Sequence, residues 1–435
     1  MLFAATSGDL LVTPWSVAPF VLLLLAIAVL PLVAEKWWHS NLRRAMISLG
    51  LAIPVAAYLG YLQWAERQPG LAVLEHSAIE YVDFIVLLAA LYTVAGGIVV
   101  QGQFRPTPLV NVGVLAIGAV LANIIGTTGA SILLIRPLLC INLVRQHRNH
   151  LPIFFIFIVS NLGGLLTPLG DPPLLLGFLN GVDFFWTLSM WPHWLVVNGS
   201  VLAITLIWDT LAYRREPDRT QFPPRHGSIV VGGKINILFL AGILAAVLMQ
   251  SPMLAGEYLL HRPWPTVIMA GMAIGSWFAT PRSVREHNHY SWGPIVEVAV
   301  LFAGIFVTMV PALALLTRHR DDLGVTEPWH YFWLTGILSS GLDNAPTYLA
   351  FTALAAGEGG LAELAARQPL ILQAISAGAV FMGANTYIGN GPNFLVKSMA
   401  EDMGYAMPSF VGYMLYSSLI LLPVFALATW LFFVT

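Results

Sequence analysis

The residues of this chain that could do chemistry lie in four short polar stretches, each set inside an apolar run. The stretch "ANIIGTTGAS" (122–131) offers Asn123, Thr127 and Thr128, with Ser131 at its end. "TPLGDPP" (167–173) offers Thr167, Asp171 and the backbone around Gly170. "GLDNAPTY" (341–348) offers Asp343, Asn344 and Thr347, and "NTYIGNGPN" (385–393) offers Asn385, Thr386, Asn390 and Asn393. Hydroxyls, amides, carbonyls and one carboxylate in each half make a hard-oxygen environment. That environment suits an alkali cation better than a soft metal.

Asp171 and Asp343 are the sharpest candidates. A carboxylate at membrane depth costs several kcal/mol unless it is paired, protonated or cation-bound. Competition between a proton and Na⁺ for one carboxylate is the minimal mechanism of sodium/proton exchange. Two other roles stand beside it: either Asp could cap a half-helix, and half-helix N-termini could hold a carboxylate substrate. Asp83 and Glu297 lie near the starts of two apolar spans, where they could serve transport or face the interface. Arg136 and Lys397 could balance buried acids or snorkel to the head-groups. Asp209 precedes a basic loop and is expected at the interface.

The elements that position these residues follow from composition. The chain has 435 residues, 57% hydrophobic and 10% charged, against about 25% charged in soluble domains. A water-soluble enzyme is excluded on that ground, and a net charge of −2 leaves no basic surface for nucleic acid. One cysteine, Cys140, excludes a disulfide framework or a thiolate cluster. Apolar runs near the roughly 20 residues that cross a bilayer lie at 16–34, 45–64, 81–100, 192–213, 235–251, 264–280, 293–317 and 408–434. No Lys or Arg precedes Lys36, so the first span is expected to stay rather than be cleaved. Segments 109–145 and 328–356 each hold two short apolar arms around a polar tip and are predicted to be re-entrant hairpins. Segments 151–180 and 370–403 are long enough to cross but are broken by Gly and Pro, and are predicted to be discontinuous helices. The expected fold is an all-α polytopic membrane protein.

A shift of 220 positions lays the first half on the second, element type by element type. This predicts one repeat over 1–213, a cytoplasmic linker over 214–234 and a second repeat over 235–435. With the N-terminus outside, the inside loops hold Lys36, Arg43, Arg44, Arg105, Arg145, Arg148, Arg214, Arg215, Arg219, Arg225, Lys234, Arg282 and Arg285. The outside loops hold only Arg67, Arg262, Arg318, Arg320 and Arg367. The bias favours both termini outside and inverted copies. Paired broken helices in inverted repeats point to a midplane site and alternating access, the pattern of secondary transporters.

Soluble motifs are weak. His287 and His289 have no second ligand pair nearby, so no metal site is expected. "GEGG" (357–360) lacks the Lys-Ser/Thr of a phosphate loop. No cofactor is expected beyond Na⁺ as a transported or coupling ion. The polar groups divide evenly between two halves, which argues against a membrane enzyme.

"ANIIGTTGASILLIRPLL" (122–139), "SNLGGLLTPLGDPPLLLGF" (160–178), "LDNAPTYLAF" (342–351) and "GANTYIGNGPNFLVKSMAE" (383–401) resemble the ion transporter superfamily. The resemblance covers most of the chain. The nearest group is its bacterial NhaD-like sodium/proton antiporters and citrate-transporter-like proteins. It implies an inverted-repeat secondary transporter of the bacterial cytoplasmic membrane, with scaffold and transport parts, often a homodimer, moving as an elevator. It implies ion or substrate contacts at Asn123, Thr127, Thr128, Gly170, Asp171, Asp343, Asn344, Thr347, Asn385, Thr386, Asn390 and Asn393. The divalent-anion symporters of that superfamily carry Ser-Asn-Thr at each hairpin tip. This chain has Ile-Gly-Thr-Thr and Leu-Asp-Asn-Ala-Pro-Thr instead, nearer the antiporter and arsenite-permease pattern. The implied cargo is therefore Na⁺(Li⁺) against H⁺, with cation-coupled uptake of citrate or another carboxylate as the alternative.

Overall fold

A computed structural model describes residues 10–38, 40–102, 104–217, 230–250, 259–288, 290–319 and 324–434. The chain is an all-α polytopic membrane protein, and seven described helices are long and apolar enough to cross a membrane. In chain order the main helices are α1 (Ala18–Val33), α2 (Asn41–Ala65), α3 (Gly70–Ala95), α4 (Pro108–Asn142), α5 (His150–Ile158), α6 (Pro172–Leu179) and α7 (Trp191–Arg214). They continue as α8 (Ile235–Leu248), α9 (Trp264–Ala279), α10 (Gly293–Arg318), α11 (Pro328–Gly341), α12 (Asn344–Ala356), α13 (Pro369–Met382), α14 (Gly391–Asp402) and α15 (Phe410–Phe432).

The segment α4 is a hairpin rather than one rod. Asn111 and Asn142, near its two ends, exchange side-chain hydrogen bonds of 3.1 and 2.7 Å. A straight helix would hold them about 46 Å apart. The chain reverses at Gly126, whose φ of 77° and ψ of 157° fall in a region essentially reserved for glycine. The second hairpin is α11 and α12, joined through Leu342 and Asp343, with both arms against α13. Each discontinuous helix stops and restarts: α5 gives way to α6 across residues 159–171, and α13 to α14 across a short 3₁₀ turn, Gly383–Asn385, and residues 386–390. Proline opens α6, and Pro392 sits in the first turn of α14, where a missing N–H does no harm.

Helices α1, α2, α3, α8, α9 and α10 pack among themselves. The hairpins, the broken helices, α7 and α15 form a second group, which meets the first where α3 touches α4 and α10 touches α12.

Some predicted boundaries move. The span expected at 81–100 runs from Gly70 to Ala95, because one face of its first half, with Ser77, Glu80 and Asp83, is buried against neighbouring helices. Asp83 therefore lies mid-helix, not near a span start. It pairs with Arg262 Nε at 2.8 Å and accepts the Thr266 hydroxyl. Gly96 and Gly97 end the helix, and Val99–Gln101 forms a short strand, β1, antiparallel to β2 (Val230–Gly232) from the predicted linker. Glu297 pairs with Arg44 at 3.0 Å. Asp209 is fully buried within the protein. It is held by Arg145 at 2.6 Å, His150 at 3.0 Å and Asn111 at 2.8 Å. Arg219, Arg225, His289 and Arg320 lie outside the described residues.

Candidate functional site

The four polar stretches converge on Asp171. Its backbone is extended at the N-cap of α6, yet its side chain makes no capping bond. The carboxylate turns instead toward the other three segments. Oδ1 accepts from the Thr127 hydroxyl at 2.8 Å and from Asn390 Nδ2 at 3.0 Å, and Oδ2 accepts from Asn344 Nδ2 at 2.5 Å. One buried acid thus joins the first hairpin, the second hairpin and the second break. Among the described residues no Lys, Arg or His forms an ion pair with it, so its partners are neutral donors.

Asp343 behaves differently. It is the N-cap of α12, accepts from Ala345 N at 3.2 Å and is half-buried. It makes the capping contact that the sequence left open. Thr347 donates back to the Asp343 carbonyl at 3.0 Å.

The broken backbone is satisfied by side chains, as an apolar surrounding demands. At the first break, Asn123 Nδ2 donates to the Gly163 carbonyl at 2.7 Å and its Oδ1 accepts from Leu166 N at 2.8 Å, while the Thr167 hydroxyl donates to the Asn123 carbonyl at 2.5 Å. Trp194 and Asn198 of α7 donate to the carbonyls of Gly163 and Leu162. At the second break, the Ser340 hydroxyl donates to the Met382 carbonyl at 3.0 Å, Asn385 Nδ2 donates to Ser340 Oγ at 2.9 Å, and the Thr386 hydroxyl donates to the Ser340 carbonyl at 2.6 Å. Tyr413 and Ser417 of α15 donate to the carbonyls of Ala384 and Asn385.

Gly170 is required by a backbone crossing. A Cβ there would lie 2.2 Å from the Gly164 carbonyl oxygen, and the Gly170 carbonyl accepts Thr127 N at 2.8 Å. Asn393 donates to the carbonyls of Gly383 and Thr386 and accepts from Asn161 at 2.7 Å. Thr128 makes no such contact among the described residues.

Three residues absent from the sequence-derived set belong here. Ser160 accepts Asn390 through its carbonyl at 3.2 Å, Asn161 links to Asn393, and Ser340 anchors the second break. Their signal was present as Ser-Asn before Gly163–Gly164 and as the Ser339–Ser340 pair before the second tip. The first pair precedes the Gly/Pro cluster of the first break, the second the polar tip of the second hairpin. The buried Oδ1 atoms of Asn161, Asn344 and Asn385 have no hydrogen-bond donor. Of these, Asn344 also touches the Asp171 carboxylate, and hard oxygen acceptors are what a desolvated alkali cation would use.

Lys397 pairs with Glu401 on its own helix at 2.9 Å, not with a site acid. Arg136 lies within electrostatic reach of Asp402.

The fold and this interior therefore define a polytopic helical membrane protein with a buried polar centre built from hairpin tips and helix breaks. The family model described as "Putative citrate transport" matches residues 10–433. The chain belongs to that family and is a citrate-transporter-like membrane protein. No curated protein matches it.

Proposed function

We propose that this chain is a secondary active transporter that exchanges Na⁺ or Li⁺ for H⁺ by alternating access. The observation that carries the reading is Asp171, a buried acid gripped by Thr127, Asn344 and Asn390 from three other segments, with no ion-pair partner among the described residues. Such a carboxylate needs a proton or a metal cation to be neutral in a dry interior, and it can hold one at a time.

Matching contacts in the two halves support the reading, on which the halves are inverted copies. Trp194 and Asn198 serve the first break as Tyr413 and Ser417 serve the second, and both pairs are separated by the same 219 positions as Asp171 and Asn390. Asn123 and Ser340 play matching roles at the two hairpins. These equivalences run one to three positions short of the 220 shift that aligned the elements by type. On this reading α1–α3 and α8–α10 are the scaffold. The hairpins, the broken helices, α7 and α15 carry the site across a bacterial cytoplasmic membrane, with both termini outside.

Cation-coupled uptake of citrate is the second reading, favoured by the family description. The acid-centred interior speaks for the first, since a citrate anion would meet the Asp171 carboxylate, whose hydrogen-bond partners are the neutral donors Thr127, Asn344 and Asn390. Everted vesicles holding a preformed pH gradient test both. Sodium should dissipate the gradient, and labelled citrate should not enter under a sodium or proton gradient. Citrate uptake without a sodium response would reverse the choice.

A further inference from the structure

At the C-terminal end of α7, beside the turn that precedes α5, lies a cavity of about 720 Å³. That size is within the ~300–1,000 Å³ range of small-ligand pockets. Its lining is divided by chemistry. Ile207, Trp208 and Leu211 of α7 form an apolar wall, and Arg215 at the helix end with His147 and Arg148 of the turn make a basic end. Ile207 and Leu211 are 63% and 52% exposed, so the wall opens on the outer flank of the helix, where lipid chains run. Arg148 is steadied over the ring of Tyr405 at 4.6 Å. The neighbouring acids do not neutralise this end. Asp209 and Glu216 are turned to Arg145, at 2.6 and 3.6 Å, and Glu216 also accepts the backbone N–H groups of Gln146 and His147.

We propose that this cavity holds the headgroup of an anionic phospholipid, with the phosphate against Arg148 and Arg215 and the acyl chains along Ile207 and Leu211. A guanidinium fork matches phosphate geometry. Basic pockets between transmembrane helices are the recurrent form of such sites. The assignment is independent of the transported cargo.

Native mass spectrometry of the detergent-purified full chain, titrated with phosphatidylglycerol or phosphatidylcholine of the same acyl chains, tests it. One phosphatidylglycerol should be retained at least tenfold more tightly than phosphatidylcholine. Arg215→Gln should weaken it about fivefold and Arg148→Gln with Arg215→Gln about thirtyfold, with phosphatidylcholine unchanged. Equal retention of the two lipids, or no loss in the variants, overturns the proposal. Inorganic phosphate binding as tightly as the lipid also overturns it, in favour of a free-anion site. Arg215 is exposed at the end of α7, so the single variant decides the matter should the double variant fail to fold.

Discussion

Asn344 Nδ2 donates to Asp171 Oδ2 at 2.5 Å across 173 residues of sequence, tying the second hairpin tip to the first helix break. Asp171 also accepts from Asn390, so each of its oxygens faces an amide donor. An asparagine there would turn an NH₂ group toward one of them. Asp171→Asn should reduce the sodium-induced pH response by at least about 100-fold, since two charge-assisted bonds of roughly 1.5–3 kcal/mol are disturbed together. Asp343→Asn keeps a capping oxygen and should lose less than about tenfold. The reverse ranking, measured in everted vesicles with matched expression, would move the coupling role to Asp343.

The donors around Asp171 should act as one unit. Asn344→Ala and Asn390→Ala should each raise the sodium concentration for half-maximal response about tenfold, the worth of one bond to a charged group. The double variant should fall short of the product of the two, because both reach the same carboxylate. Strict additivity in the concentration dependence would show that the two amides work separately.

Much of this arrangement could be read from residue order. Gly and Pro inside apolar runs marked both breaks, and polar tips between short arms marked both hairpins, because apolar surroundings tolerate interrupted backbone only where partners exist. Three things could not be read. The span expected from residue 81 begins at Gly70, with Ser77, Glu80 and Asp83 buried within α3, since local polarity does not reveal which neighbours will cover a helix. The partners of Asp209 come from distant segments, and only tertiary packing brings Asn111, Arg145 and His150 onto it. Asp171 and Asp343 both stand before a helix start, and their separate roles depend on side-chain direction, which spacing does not carry.

Gly126 should tolerate no side chain. Its backbone lies where other residues are strained by about 1–3 kcal/mol, and an added Cβ would come within 3.2 Å of the Leu169 carbonyl oxygen. Gly126→Ala should lower thermal stability in detergent and depress transport together, because the following residue, Thr127, bonds Asp171. A variant with unchanged melting and full activity would contradict the tip geometry.

The fold-back of α4 has a direct check. Asn111 and Asn142 are hydrogen-bonded through their side chains, so spin labels on Leu109→Cys and Leu143→Cys, exposed positions beside them, with Cys140→Ser in the background, should lie far closer by pulsed EPR than the roughly 51 Å of a straight helix. A separation near that length would mean a straight helix.

The base of the same hairpin carries the largest stability effect. Asp209 and Arg145 are both buried and 2.6 Å apart, and Arg145 also meets Glu216 at 3.6 Å. Removing one member of a buried pair leaves the other charge uncompensated, at a cost of about 3–5 kcal/mol. Replacing both with apolar residues of similar volume is often close to neutral. Asp209→Ala should therefore lower the thermal midpoint strongly. Asp209→Leu combined with Arg145→Met should recover part of that loss but not all of it, since Glu216 would lose its guanidinium and Asn111 and His150 the carboxylate they share. Full recovery would reduce the cluster to one isolated pair. No recovery would mean that the surrounding network, rather than the pair, holds α4, the turn before α5 and the end of α7 together.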